Sequence, residues 1–205
     1  MTAGESGGPP RQRLFIATTN ADKLREIRAL LAHAPVDLMA LDAFPPIPEP
    51  EETGGTFEEN ARLKARAYFA ATGVTTVAED SGLEIDALNG EPGVRSARFL
   101  RPAATYPERF DEIFRRLDAH PALPRSARFV CAVAVVREGA TVFETRGTIE
   151  GEIAPAPRGD AGFGYDPIFF YPPYGRTLAE VSQQDKLHVA HRGQAFRALA
   201  TWLAL

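Results

Sequence analysis

The sequence predicts an α/β fold: a mixed β-sheet flanked by helices, arranged as two lobes with a cleft between them. Three observations predict it. The chain opens on an apolar strand that runs straight into an amphipathic helix. Helical and strand-like periodicities then alternate, as crossover connections require. Later, two long apolar runs are separated only by Glu138-Gly139, which is a hairpin and not a crossover, so the sheet cannot be purely parallel.

Arg13–Thr18 contains a short apolar run that reads as a buried strand. Residues 22–32 place Leu24, Ile27, Leu30 and Leu31 at helical spacing, and Asn20 or Asp22 is fit to cap that helix. Residues 42–55 form a Pro- and acid-rich loop. Thr56-Phe57-Glu58-Glu59 is a capping box, opening a helix to about Ala71 with Phe57, Ala61, Ala65 and Tyr68 on one stripe. Val74–Ala78 reads as a strand delivering Glu79-Asp80-Ser81-Gly82 at its C-terminal end. Leu83, Ile85 and Ala87 alternate with acids as in a half-exposed strand, and Asn89-Gly90 marks a turn. Thr105, Pro107 and Glu108 start a helix striped by Phe110, Ile113, Phe114 and Leu117. Strands follow at about 127–137 and 141–148, with Ile149–Ala154 as a possible continuation. Ile168–Tyr171 reads as a buried strand, and a last helix runs from near His191 through Trp202.

The chain has 205 residues, a net charge of -4, 44% hydrophobic and 24% charged residues, which is an ordinary globular composition. We expect one domain over 13–205, preceded by a Gly- and Pro-rich disordered extension over 1–12. Nucleic-acid binding is not expected, because no basic stripe with interleaved aromatics occurs. Membrane insertion is not expected either: no apolar run approaches the roughly 18–20 residues a span needs. The start of the chain has no secretory h-region, and a cytoplasmic location is expected. The single cysteine, Cys131, lies in an apolar run and reads as core.

Four segments carry candidate chemistry. Thr18, Thr19, Asn20, Ala21, Asp22 and Lys23 stand at a helix N-terminus, where free backbone N–H groups suit phosphate; a capped helix with a surface lysine is the alternative. Glu49, Glu51, Glu52, Glu79 and Asp80 form a carboxylate set able to share Mg²⁺, and one of them is able to act as general base; a solvated loop and helix-dipole acids are the alternative. Gly162-Phe163-Gly164-Tyr165-Asp166-Pro167 offers an aromatic face between glycines, or else a turn with Phe163 in the core. Lys186 with His191-Arg192-Gly193 suits phosphate or a purine edge, or else a basic first turn of a helix.

Five stretches in order — ATTNADKLREI, EETGGTFEENARLKA, AEDSGLEIDALNGEPGVRSARF, GFGYDPIFF and HRGQA — resemble the inosine/xanthosine triphosphate pyrophosphatase family over about Leu14 to Leu203. The resemblance implies hydrolysis of non-standard purine nucleoside triphosphates (ITP, dITP, XTP) to the monophosphate and pyrophosphate. It implies an elongated sheet with a central substrate cleft and a homodimer. It implies that Thr18, Asn20, Lys23 and Lys64 hold the triphosphate and that Glu52 and Asp80 hold Mg²⁺. Asp80 would accept the proton of the attacking water, and Ser81 would touch substrate. Phe163 would stack on the base beside Gly164, Tyr165 and Asp166, with Lys186, His191 and Arg192 reading the purine from the other side. The chain departs from the family at Ala190, where Ser is usual, and at Glu79, where Asp is common.

Overall fold

The computed structural model describes residues 11–205. The expected extension over 1–12 lies outside the described residues, apart from its last two, and Gln12 already belongs to the first strand. Seven strands form one sheet in the order β2-β1-β3-β4-β5-β6-β7. They are β1 (Gln12–Ile16), β2 (Val36–Met39), β3 (Thr76–Ile85), β4 (Ser126–Arg137), β5 (Ala140–Ile153), β6 (Phe169–Tyr171) and β7 (Arg176–Thr177). β1 pairs in parallel with β2 and with β3, and every later pairing is antiparallel. The sheet is therefore mixed, with helical crossovers first and hairpins after. The helices are α1 (Ala21–Leu30), α2 (Phe57–Thr72), α3 (Tyr106–Asp118), α4 (Gln183–Val189) and α5 (His191–Leu203).

Local chemistry sets the helix starts. Asn20 caps α1, accepting from the amides of Asp22 and Lys23. Thr56–Glu59 and Thr105–Glu108 close reciprocal capping boxes on α2 and α3, each satisfying two otherwise orphaned backbone donors. Gly73 ends α2 in the left-handed conformation (φ 66°), where a side chain is disfavoured.

Period-two alternation decides which face each strand residue serves. On one face Leu14, Ile16, Val77, Val133 and Val135 meet Ile27 of α1 and Phe196 and Leu199 of α5. On the other, Phe15, Ala78, Ala132 and Ala134 meet Ala61, Ala65 and Tyr68 of α2. The small residues there let α2 lie close. A third cluster, at the far end of the sheet, packs Phe110, Ile113 and Leu117 of α3 on Leu83, Ile85, Phe129 and Ile149. Strands β3 and β4 run through both halves of this core.

That continuity corrects the expected strand ends. Val74–Ala78 and Leu83–Ala87 are not two elements but one ten-residue strand, paired with β4 without a break from Thr76↔Val136 to Ile85↔Ala127. Glu79 and Asp80 therefore sit in mid-strand and are buried. They remain in the ladder because cations neutralise them, as described below. Helix α4 and strand β2 were not foreseen. Ile168 lies in a 3-10 turn just before β6.

Candidate active site

The β3 segment 79–82 crosses from one half of the core to the other, and a cavity of about 750 Å³ opens over it. Alternation sends Glu79 and Ser81 toward α1 and α5, and Asp80 toward α2.

On the α2 side, Lys64 is buried and bridges two carboxylates. Its Nζ donates to Glu52 Oε1 at 2.6 Å and to Asp80 Oδ1 at 3.2 Å. Asn60 Nδ2 donates to Asp80 Oδ2 at 3.1 Å, and Arg98 Nη1 donates to Glu52 Oε2 at 2.8 Å. Burial pushes the Asp80 carboxyl above its ordinary value and Glu52 adds to this, while Lys64 pulls the other way. Burial also disfavours charge on Lys64, but Asp80 and Glu52 outweigh it and hold the ammonium raised. Asp80 is one side chain back from the cavity wall: Lys64 and Glu52 line it, and Asp80 reaches it through Lys64.

On the α1 side, Lys23 Nζ lies 2.6 Å from Glu79 Oε1. Glu79 Oε2 accepts from Cys131 Sγ at 3.2 Å and from Arg192 Nη2 at 3.4 Å. Burial raises the Glu79 carboxyl, yet Lys23, Arg192 and Lys64 overcome it and hold the group well below the usual range. Cys131 is buried and its thiol is pushed well up, first by burial and then by Glu79, as a core cysteine and not a nucleophile.

The expected helix N-terminus needs one correction. The amides of Asp22 and Lys23 are not free for phosphate, because Asn20 Oδ1 already accepts from both, at 2.9 and 3.0 Å. Thr18 Oγ1 accepts from the Asn20 amide at 3.2 Å, and Thr19 Oγ1 donates to Glu49 Oε1 at 3.2 Å. Thr18, Thr19, Asn20 and Lys23 line the cavity; Ala21 and Asp22 do not. Asp22 instead pairs with Arg25 on the surface.

The opposite end of the cavity is built by α4, α5 and the glycine-flanked loop. Phe163 is half-buried, with Lys186 Nζ 4.6 Å and the Arg192 guanidinium carbon 5.6 Å from its ring centre. Asp166 Oδ2 accepts from the Phe163 amide at 2.8 Å and from Lys186 Nζ at 2.6 Å. A Cβ on Gly162 would come 2.2 Å from that same oxygen, at a φ of +73°, so this turn requires glycine. Burial raises the Asp166 carboxyl against the pull of Lys186. Tyr165 is buried among the α3 cluster and donates to the Ser96 carbonyl at 2.8 Å. His191 stacks on Phe129 (4.9 Å, 16°). Burial, then Arg192 and Lys186, push its imidazole well down, and it is neutral near pH 7. Ser81 Oγ accepts from Arg192 Nη2 at 2.9 Å.

Sequence reasoning missed the residue that organises this end. Glu26 of α1 is buried; Oε1 accepts from Lys186 Nζ at 3.0 Å and from Gln183 Nε2 at 2.9 Å, and Oε2 accepts from Arg192 Nη1 at 2.7 Å. Its one signal in the sequence was an acid next to Ile27, on the apolar stripe of an amphipathic helix. Arg98, the second partner of Glu52, lies near the end of the stretch AEDSGLEIDALNGEPGVRSARF, but nothing in its own surroundings marked it as a site residue. Among the described residues no group of three or more His, Cys, Asp and Glu side chains forms a ready-made metal cage.

A model of the Ham1 family matches residues 14–202. The chain belongs to the Ham1 family. It is 47% identical over 185 residues to the dITP/XTP pyrophosphatase of Symbiobacterium thermophilum, covering 90% of this chain and 91% of that protein. It is 43% identical to the protein of the same name from Geobacillus kaustophilus, covering 92% of each. Among solved structures, a HAM1 protein from Coxiella burnetii superposes with a TM-score of 0.88 at 42% identity, covering 94% of this chain and 98% of that one. The Staphylococcus aureus Ham1 protein superposes with a TM-score of 0.85 at 35% identity, with the same coverage. The expected family resemblance and the mixed α/β sheet are thus both established.

Proposed function

We propose that this Ham1-family chain hydrolyses non-standard purine nucleoside triphosphates (ITP, dITP, XTP) to the monophosphate and pyrophosphate. One observation carries the reading: a single cavity has lysines and carboxylates at one end and a cation-flanked aromatic ring at the other. The names of its relatives, dITP/XTP pyrophosphatases, support the same reading.

A triphosphate placed along the cavity meets Lys23, Lys64, Thr18 and the side-chain Nδ2 of Asn20 with its phosphates. Glu52 and Asp80 fit Mg²⁺. Both oxygens lie within reach of one ammonium, so the two carboxylates already converge on a single cation. An ion held by few carboxylates plus substrate phosphates needs no closed protein cage. Held by Glu52 and Asp80, Mg²⁺ would supply neutralising charge to the phosphate oxygens and to the departing pyrophosphate. In this reading Lys64 turns from Asp80 Oδ1 to the phosphates and opens that oxygen to the cavity; Asp80 then accepts the proton of water as the water oxygen attacks the α-phosphorus, the bond from that phosphorus to the α–β bridging oxygen breaks, and pyrophosphate leaves. Asn60 holds Asp80 in orientation through its second oxygen.

The base stacks on Phe163. Lys186 spends two of its three donors on Glu26 and Asp166, leaving one for a 6-oxo group. Inosine and xanthosine carry that acceptor, whereas adenine presents a donor there and leaves the lysine unmatched.

Residues 13–205 act as one domain in this reading, since β3 and β4 thread both halves of the core. No described helix is long and apolar enough to cross a membrane, and a cytoplasmic site of action suits a nucleotide-pool substrate. The family resemblance supports a homodimer, which light scattering tests by mass. The deciding assay is pyrophosphate release from ITP, XTP, dITP, GTP and ATP with Mg²⁺ and with EDTA. Metal-dependent release favouring ITP and XTP is expected; equal rates across the panel, or none, refute the reading.

A further inference from the structure

Tyr106 is the first residue of α3, fixed there by the Thr105–Glu108 capping box. The rest of that helix buries Phe110, Ile113 and Leu117. Tyr106 instead keeps 36% of its surface open and lines the cavity. The ring is nevertheless held firmly. It meets Tyr165 edge-on at 5.3 Å and 89°, and the Arg109 guanidinium carbon stands 4.9 Å from its centre. Both supports are anchored to one carbonyl, that of Ser96: Tyr165 donates at 2.8 Å and Arg109 Nη1 at 3.4 Å.

Arg109 is itself unusual. It is buried, its Nε has no hydrogen-bond partner, and among the described residues no carboxylate lies within ion-pair distance of it. A buried guanidinium without an anion is costly; here the Tyr106 ring supplies part of the compensation. Tyr106 also borders the Phe163 loop. A Cβ on Gly164 would stand 3.6 Å from its hydroxyl, at ordinary van der Waals distance, so the loop lies alongside the ring. Burial raises the phenol above its ordinary value, opposed by Arg109 and assisted by Asp166 and Asp22, so it remains protonated and able to donate.

We propose that Tyr106 is a second aromatic wall of the nucleoside end, touching the base–sugar part of the nucleotide and setting affinity for that part and not for the phosphates. This rests on the placement of the base against Phe163 given above. An aromatic face lost from a base contact weakens binding by about five- to tenfold, the low end of stacking contributions.

The test uses the full chain with Tyr106→Ala, Tyr106→Phe and Tyr106→Leu, the last keeping apolar bulk over Tyr165 should the alanine variant fold poorly. Expected are a KM for ITP raised about five- to tenfold in the alanine and leucine variants, with kcat within about twofold. Inhibition by inosine monophosphate should weaken by the same factor, inhibition by pyrophosphate should not change, and Tyr106→Phe should bind like the wild type. Folded alanine and leucine variants with unchanged KM and unchanged monophosphate affinity overturn the proposal while leaving the hydrolase reading intact. A wild type that binds inosine monophosphate through Tyr106 but releases no pyrophosphate overturns the hydrolase reading alone. A wild type that binds no purine nucleotide overturns both.

Discussion

Replacing Glu26 with Gln keeps the shape of the side chain and removes one buried negative charge. In the folded protein that charge faces Lys186 at 3.0 Å and Arg192 at 2.7 Å, all three side chains being nearly inaccessible to solvent. Deleting one partner of a buried ion pair costs about 3–5 kcal/mol, because the other charge is left uncompensated. The low end applies here, since Lys186 keeps Asp166 and Arg192 keeps Glu79. For a chain of this length 1 kcal/mol moves the melting midpoint by about 2–4 °C, so Glu26→Gln should lower it by about 6–12 °C. The pH dependence follows from the direction of the shift. Burial pushes the Glu26 carboxyl up, but Arg192, Lys186 and Gln183 together hold it below 4.5. A depressed carboxyl contributes stability that is full above its unfolded value, near 4.5, and fades as pH falls through the folded value. The gap between wild type and variant should therefore be flat from pH 7 to about 5 and narrow below about 4.5. Thermal unfolding followed by circular dichroism across that range measures it. A midpoint shift under about 2 °C at pH 7, or a gap that widens toward acid, refutes the view of Glu26 as the charge that holds the base-reading cations.

Asp80→Asn should lower kcat by about 10²–10⁴ while the fold persists, and steady-state kinetics with a melting curve checks both; near-normal kcat removes Asp80 as proton acceptor. In the wild type the acid limb of kcat against pH should inflect above 3.8, because burial raises that carboxyl. Phe163→Ala should raise KM for ITP about tenfold by loss of stacking; unfolding instead would make Phe163 a core residue. Ala190→Ser should raise stability by about 0.5–1 kcal/mol, since Ala190 is the N-cap of α5 and makes no side-chain cap bond. ITP-to-GTP preference measured on that variant should not move, and a changed ratio would mean that position 190 contacts the base.

How much of this was legible in sequence follows from the range of each interaction. The capping boxes at Thr56 and Thr105 and the α1 cap depend on residues two or three apart: the boxes stand where expected, and of the two candidates for the α1 cap, Asn20 and Asp22, the structure uses Asn20. Period-two patterning likewise gave β4 to within a residue. The junction at 79–82 was misread as a strand end. Two adjacent acids look like a loop unless their neutralising partners are known, and those partners lie 15 residues or more away, on α1, α2 and α5. Helix α4 escaped because it is seven residues long, too short to show an apolar period. Burying Lys186 on it depends on Glu26, 160 residues earlier. Thr19 was expected only at a phosphate, and Asn20 both there and as a cap; the structure commits part of their hydrogen-bonding capacity to Glu49 and to the helix cap.

The phosphate end of the cavity holds charges of both signs. Lys23, Lys64 and Arg98 stand there against Glu52, Glu79 and Asp80, each cation within 3.2 Å of a carboxylate oxygen. Each cation is already paired, and Glu49 and Glu51 also line the cavity, so this end offers a triphosphate of roughly four negative charges no net attraction. Lysine contacts alone therefore do not account for binding, and the divalent cation should be needed for affinity as well as for turnover. Asp80→Asn removes one of these negative charges and slows hydrolysis enough for equilibrium titration. On this reasoning it should bind ITP without Mg²⁺ more tightly than the wild type binds a slowly hydrolysed ITP analogue under the same conditions. Added Mg²⁺ should tighten the wild type more than the variant, which has lost part of the ion's site. Equal affinities for the two proteins in EDTA would show that the lack of net positive charge in the resting site is not what makes the metal necessary.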